Sequence, residues 1–265
     1  MPDIFYLLSK WWKHITGLVL LSLLTAWIIT SLLPKEYVAA TTALPANSYL
    51  SDKSKIFNEN IEALYSAMGT ADELDMIIGT GQLDTIYLSV VDRFNLTTHY
   101  GISEKGEAAR SKASLLLKKH TRVMKTEYGE LKVRVWDTDK LLSAQFANAI
   151  MDKIQQMHSD LQNSINYSTL NSLLAARGKI KSQPDSVHSS QMVTAQLQQY
   201  EKLIGEYQLM VDTKPPALLI VERARPASFA DRPQLLQAFL ITGFFSLLFA
   251  FLLVMVLEKK KSNRR

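Results

Sequence analysis

Few side chains in this sequence are placed to do chemistry. Asp137 and Asp139 flank Thr138 in the run DTD, and paired carboxylates are a common device for general acid–base catalysis. They stand at alternate positions where a strand-like run, ELKVRVW, gives way to a helical pattern. Helix capping is therefore the simpler assignment, because a short carboxylate satisfies backbone N–H groups at a helix start. The five histidines, His14, His99, His120, His158 and His188, are scattered without the spacing of metal ligands. Cysteine is absent, which excludes disulfides, thiolate nucleophiles and cysteine-based metal sites. No phosphate loop G-x-x-x-x-G-K-[ST], dinucleotide fingerprint G-x-G-x-x-G or nucleophile elbow G-x-S-x-G occurs. Asn95-Leu96-Thr97 and Asn166-Tyr167-Ser168 match the glycosylation sequon, a three-residue pattern common by chance. The expectation is a protein that is not an enzyme and carries no catalytic residue, cofactor or metal.

What then has to be positioned, and by what? The formal net charge of the 265 residues is +5, but the first 14 contribute +1 and the last eight +4. The interior is balanced, so no folded domain offers the basic stripe that nucleic-acid binding requires. The basic character belongs to the tails.

Two uncharged stretches adjoin those tails, Ile15–Leu33 with 19 residues and Leu235–Leu257 with 23. At about 1.5 Å per residue they reach about 28 and 34 Å as helices, against a hydrocarbon core of about 30 Å. A cleaved signal peptide with a small-residue site at Val38–Ala40 is the alternative for the first. Its apolar run exceeds the roughly 7–15 residues of a signal h-region. Trp11, Trp12 and Lys13 mark one interface, and the basic residues 258–265 mark the end of the second span. The positive-inside rule then predicts both termini in the cytoplasm. The expected organisation is a cytoplasmic stretch 1–14, a span 15–33, an extracytoplasmic domain 34–234, a span 235–257 and a basic cytoplasmic tail 258–265. Ser22, Ala26 and Thr30 on the first span, and Gly243, Ser246 and Ala250 on the second, repeat at helical spacing. Small residues allow close helix approach, so these are the expected packing positions.

Between the spans, EYVAATTAL (Glu36–Leu44) is rich in strand formers. Phe57, Ile61, Leu64, Tyr65 and Met68 have helical spacing, as do Leu83, Ile86, Tyr87, Val90, Val91 and Phe94, with Gly79 and Gly81 separating the two helices. A further helix over Glu104–His120 precedes two strands joined at Tyr128-Gly129-Glu130. Ala147, Ile150, Ile154, Met157 and Leu161 begin a long helix. SQPDS (Ser182–Ser186) breaks the chain, and Val193, Leu197, Tyr200, Ile204, Tyr207 and Val211 form a second. Alternating steps of three and four predict an antiparallel helical hairpin over about 138–212. PALLIVERA (Pro216–Ala224) reads as a strand returning to the second span. The expected fold class is α+β: a membrane-proximal small mixed sheet with helices and a projecting antiparallel helical hairpin, between two transmembrane helices.

One segment remains, RARPASFADRPQ (Arg223–Gln234). Pro fixes φ and cannot continue a hydrogen-bonded strand, so Pro226 and Pro233 end the strand and set the angle at which the chain meets the second span. Arg225, Asp231 and Arg232 would lie at the membrane surface, where charged groups stay wet.

The order of these pieces resembles the Wzz-type chain-length determinants, or polysaccharide co-polymerases, of bacterial inner membranes. The likeness covers the whole chain. It rests on the two terminal spans, on EYVAATTAL, on ELKVRVWDTDKLLSAQFANAI with Ala147-Asn148-Ala149-Ile150, and on ARPASFADRPQ. Ser228 and Phe229 stand where many members have a further proline, and Gln234 where they have a basic residue. The resemblance implies a homo-oligomeric ring, about eight subunits of cyclic symmetry. It also implies a non-enzymatic role in setting the length of O-antigen, lipopolysaccharide or a related glycan beside a Wzy-type polymerase. Contact with the membrane and with the nascent lipid-linked polysaccharide belongs to the same expectation. Eight residues after Leu257, none of them tyrosine, point to the kinase-free type. The alternatives are a membrane adaptor activating a separate tyrosine kinase for capsule or exopolysaccharide export, and a ligand-binding sensor. A sensor would need a cytoplasmic output module.

Overall fold

Helix α1 (Ile4–Leu32) and the C-terminal helix α8 (Leu235–Ser262) run along each other. Their stretches Ser9–Leu32 and Leu235–Glu258 are each 24 residues, long and apolar enough to cross a membrane. Leu20, Leu21, Leu24 and Ile29 turn outward and are exposed, the pattern of a helix whose surroundings are themselves apolar. The computed structural model describes residues 4–46, 71–182 and 190–262. The chain divides into two compact units. One holds residues 1–38, 137–140 and 227–265; the other holds 39–136 and 141–226.

The second unit is built on strands β1 (Tyr37–Pro45), β2 (Thr121–Lys125), β3 (Leu131–Asp137) and β4 (Leu218–Glu222), in the order β2-β3-β1-β4. The β2–β3 hairpin pairs Thr121 with Val135 and Lys125 with Leu131. Its turn closes where Thr126 N–H donates to Glu130 O at 2.9 Å. Gly129 supplies the φ of 76° that this turn needs, a conformation costly for a residue with a Cβ. Leu131, Val133 and Val135 are buried, while Lys132 and Arg134 are half-buried on the opposite face, the period of a sheet with one face on a core. β1 pairs antiparallel with β4, Thr42 opposite Glu222 and Pro45 opposite Leu218, with a register shift between Thr42 and Ala43. The fold is α+β, as expected.

Among the described residues, four further helices complete the path to the long pair. α2 (Ala71–Thr80) and α3 (Asp84–Phe94) are separated at Gly81, whereas Gly79 lies inside α2. A Cβ on Gly81 would sit 2.9 Å from Val123 Cγ1 and 3.2 Å from Ile154 Cδ1, so the break runs tight against the core. Tyr87 on α3 donates its hydroxyl to Gly81 O at 2.9 Å, and burial pushes its phenol up to about 12. The one-turn helix α4 (Leu96–His99) follows Asn95, which takes the left-handed conformation at φ 51°. α5 (Glu107–Lys119) packs against α3. Arg110 reinforces that pairing through Asp92, Nη2 to Oδ2 at 2.7 Å, and its guanidinium holds the Asp92 carboxyl below the ordinary range. The helix expected from Phe57 to Met68 lies outside the described residues.

α6 (Lys140–Lys181) is a single helix of 42 residues, and α7 (Ser190–Thr213) is the second long one. Lys181 Nζ lies 3.9 Å from Glu201 Oε1, bringing α7 beside the end of α6. Most of the SQPDS turn lies outside the described residues. α7 stops at Lys214, which is left-handed at φ 44° ahead of Pro215 and Pro216. Phe146, Ile150, Met151 and Ile154 of α6 are fully buried against the sheet core with Tyr87, Val133, Val135 and Leu117. Each such side chain contributes about 1.5–3 kcal/mol by leaving water.

One expectation about α6 is corrected. Leu161 does not continue the apolar stripe; it is half exposed, and the buried positions are His158, Gln162, Asn166 and Leu170. Burial follows constant steps of four after Ile154. At about 100° per residue such a row winds around the helix by about 40° per step, instead of holding the narrow seam that alternating steps of three and four would give.

Candidate functional site

The proline segment divides between the two units. Arg225 and Pro226 close the second unit, while Asp231, Arg232 and Pro233 belong with the spans. Arg225, Pro226 and Arg232 are exposed, and Asp231 and Pro233 half-buried. Two hydrogen-bonded attachments flank this segment, one at Ala224 and one at Asp231 and Arg232.

The first attachment lies in the second unit. Asn148 on α6 presents its amide to the backbone of Ala224. Nδ2 donates to Ala224 O at 3.0 Å, and Ala224 N–H donates to Oδ1 at 2.9 Å. A side-chain amide has one donor face and one acceptor face, so it completes a backbone unit as a neighbouring strand would. β4 has ended at Glu222, and Ala224 is buried, so these groups need a partner that the sheet no longer supplies. Beside it Arg223 Nη1 reaches Asp152 Oδ1 at 3.1 Å. The sequence signal was a polar residue inside the apolar run Ala147–Ile150, which the resemblance included without a role. Ser159 does similar work nearby, accepting from Ala217 N–H at 3.1 Å.

The second attachment lies among the spans, just past α1. Glu36 N–H donates to Arg232 O at 3.1 Å, and Glu36 O accepts from Asp231 N–H at 2.8 Å and Arg232 N–H at 3.2 Å. Arg232 Nη1 then meets Glu36 Oε2 at 3.2 Å. The Arg232–Pro233 peptide is cis. The sequence pattern marks Glu36 only as the first residue of a strand; nothing in it announces a partner 196 residues away.

At the other ends of the two helices, Lys10 Nζ meets Glu258 Oε1 at 2.6 Å and Trp11 Nε1 donates to Glu258 Oε2 at 3.1 Å. In the sequence Glu258 is one acidic residue at the head of a basic tail. Between the two ties, Ser246, Ala250 and Val254 are buried on α8 and Ser22 and Ala26 half-buried on α1. Leu23 Cδ2 lies 3.9 Å from where a Cβ on Gly243 would be. Ser22 and Ser246 return their hydroxyls to their own helices, to Leu18 O and Gly243 O.

Among the described residues, the side chains considered for chemistry lie in separate local settings. Asp137 is buried and Asp139 exposed, and Asp137 Oδ1 accepts from Asp139 N–H at 2.8 Å, a local turn at the head of α6. His14 tilts on Trp11, His99 lies beside Tyr100, and His120 Nδ1 is 2.9 Å from Leu116 O. His188 lies outside the described residues. Among the described residues no three His, Asp or Glu side chains converge as metal ligands would.

His158 is different. It is buried on α6, its Nε2 has no hydrogen-bond partner among the described residues, and neither do the amide atoms of buried Asn166. Burial holds the imidazole below its ordinary value, about 6.5. The unfolded chain therefore binds this proton more readily than the folded one. Stability contributed by neutral His158 is complete above about pH 6.5 and declines as pH falls toward the folded value. Unfolding midpoints of wild type and His158→Gln should diverge below that pH and run parallel above it. A constant difference at all pH values would refute the assignment.

No family model matches the chain, and no curated protein is similar to it. Among solved structures, a full-length bacterial polysaccharide co-polymerase aligns over 99% of this chain and 98% of its own, with a TM-score of 0.43 and 10% identity.

Proposed function

We propose that the chain is a non-enzymatic regulator of surface-polysaccharide chain length in the bacterial inner membrane, acting as a homo-oligomeric ring beside a Wzy-type polymerase. The observation that carries this reading is the Asn148–Ala224 pairing. Two of the sequence pieces behind the resemblance, Ala147–Ile150 and the segment leading into the prolines, meet in space through direct hydrogen bonds. In this reading both termini are cytoplasmic, and Arg225, Asp231 and Arg232 lie at the periplasmic surface of the inner membrane. The Ser22/Ala26 and Gly243/Ser246/Ala250 faces hold the helical pair together. The protein makes and breaks no bond. It supplies a template whose geometry biases when the polymerase lets go.

Deleting the gene should shift the modal length of O-antigen or a related glycan on a gel while synthesis continues. An unchanged length distribution would refute the function. Loss of all polymer would point instead to an export role.

A further inference from the structure

A groove of about 500 Å³ opens where α1 ends and α8 begins, within the size range of small-ligand sites. Leu33 and Ile241 form its apolar side, each half exposed. Gln234 and Gln237 form the polar side, with Glu36 and Arg232 beside them. We propose that this groove holds one bilayer phospholipid with a zwitterionic, primary-amine head group of the phosphoethanolamine kind. The inference rests on the two-span reading above, which places the groove at the level of the lipid head groups.

The chemistry of the rim selects the occupant. Glu36 and Arg232 bring one charge of each sign 3.2 Å apart, so the rim is neutral overall yet strongly polarised. A phosphate accepts from the half-exposed guanidinium in a charge-assisted bond, while an ammonium brings donors to the amide oxygens of the two glutamines and to the exposed edge of the Glu36 carboxylate, 19% of which is open. A purely anionic head group would meet Arg232 in the same way but bring no cation to Glu36. A choline head group has the charge but no N–H to donate. The acyl chain continues along Leu33 and Ile241, which would otherwise present apolar surface beside a polar rim. Phe229, 86% exposed in the loop before α8, gives that loop an apolar tip suited to the same interface.

The test uses the full-length protein, delipidated in detergent and titrated with phosphatidylethanolamine, phosphatidylglycerol or phosphatidylcholine of matched acyl chains, with bound lipid counted by native mass spectrometry. One phosphatidylethanolamine per chain should be retained, with about tenfold preference over the other two, near 1.4 kcal/mol. Ala238→Trp, which fills the groove, should abolish that preference, and Gln234→Leu with Gln237→Leu should weaken it. Equal retention of all three lipids by wild type overturns the proposal, as does undiminished preference in Ala238→Trp. Wild type alone decides the matter if either variant fails to fold. Carbonate extraction of native membranes separates the two levels: a chain that extracts as soluble overturns the spans and the lipid site together. Integration without lipid preference overturns the lipid site alone.

Discussion

Asn148→Leu lowers the unfolding free energy by about 2–4 kcal/mol, one of the two largest effects expected in this chain. The leucine removes both partners of Ala224 at once, and a buried backbone group left without a partner costs about 1–3 kcal/mol. Ala224 is 8% exposed, so water does not readily replace the lost amide. Asn148→Asp keeps the acceptor for Ala224 N–H but sets a carboxylate oxygen against Ala224 O, where the native amide donates at 3.0 Å. It should be at least as harmful at neutral pH and recover partly as the carboxyl protonates in acid. Urea unfolding followed by circular dichroism measures both. An Asn148→Leu midpoint within about 0.5 kcal/mol of wild type, the ordinary range of surface substitutions, would show that the pairing is incidental. If chain-length control depends on how the strand leaves the sheet, Asn148→Leu should broaden the glycan distribution even where expression is preserved.

Phe146→Ala is expected to cost about 3–5 kcal/mol, the range for emptying a buried aromatic site. The ring is fully buried and meets Phe94 edge-on at 5.2 Å, a geometry that adds about 0.5–1.5 kcal/mol beyond area alone. His99 closes a second edge at 6.0 Å. Phe146→Leu retains most of the volume and should lose about 1.5 kcal/mol or less. Leu161→Ala is the internal control, since that side chain is half exposed and its removal should shift the midpoint by no more than about 0.5 kcal/mol. A Phe146→Ala loss as small as the control would mean that the site collapses without cost.

The contrast between Phe146 and Leu161 shows where sequence reasoning reaches and where it stops. Alternation in Leu131–Val135 and helical spacing in Ile86–Val91 declare their buried faces because each element is short and lies flat on one core. The fold class and the two apolar helices follow from patterns of that kind. A helix of 42 residues outruns its own seam, and its buried row passes to His158, Gln162 and Asn166, which no hydropathy pattern would select. Asn148 was visible as a motif but silent about its role. Hydrogen bonding to a backbone 76 residues away leaves no periodic trace. Glu36 and Glu258 were hidden for the same reason, as ordinary charges beside apolar segments whose partners lie at the far end of the chain.

The ties at Lys10–Glu258 and Glu36–Arg232 have a mechanical consequence. Two helices joined only along their flanks can slide past one another like pistons, and a sliding pair can report a push at one end as a displacement at the other. Here each helix is fastened to its neighbour near both extremities, at 2.6 Å on one side and 3.2 Å on the other. Sliding by one turn, about 5.4 Å, would have to break both fastenings together. The two ties therefore brace the pair against axial sliding, each by the about 0–1 kcal/mol of a part-exposed ion pair.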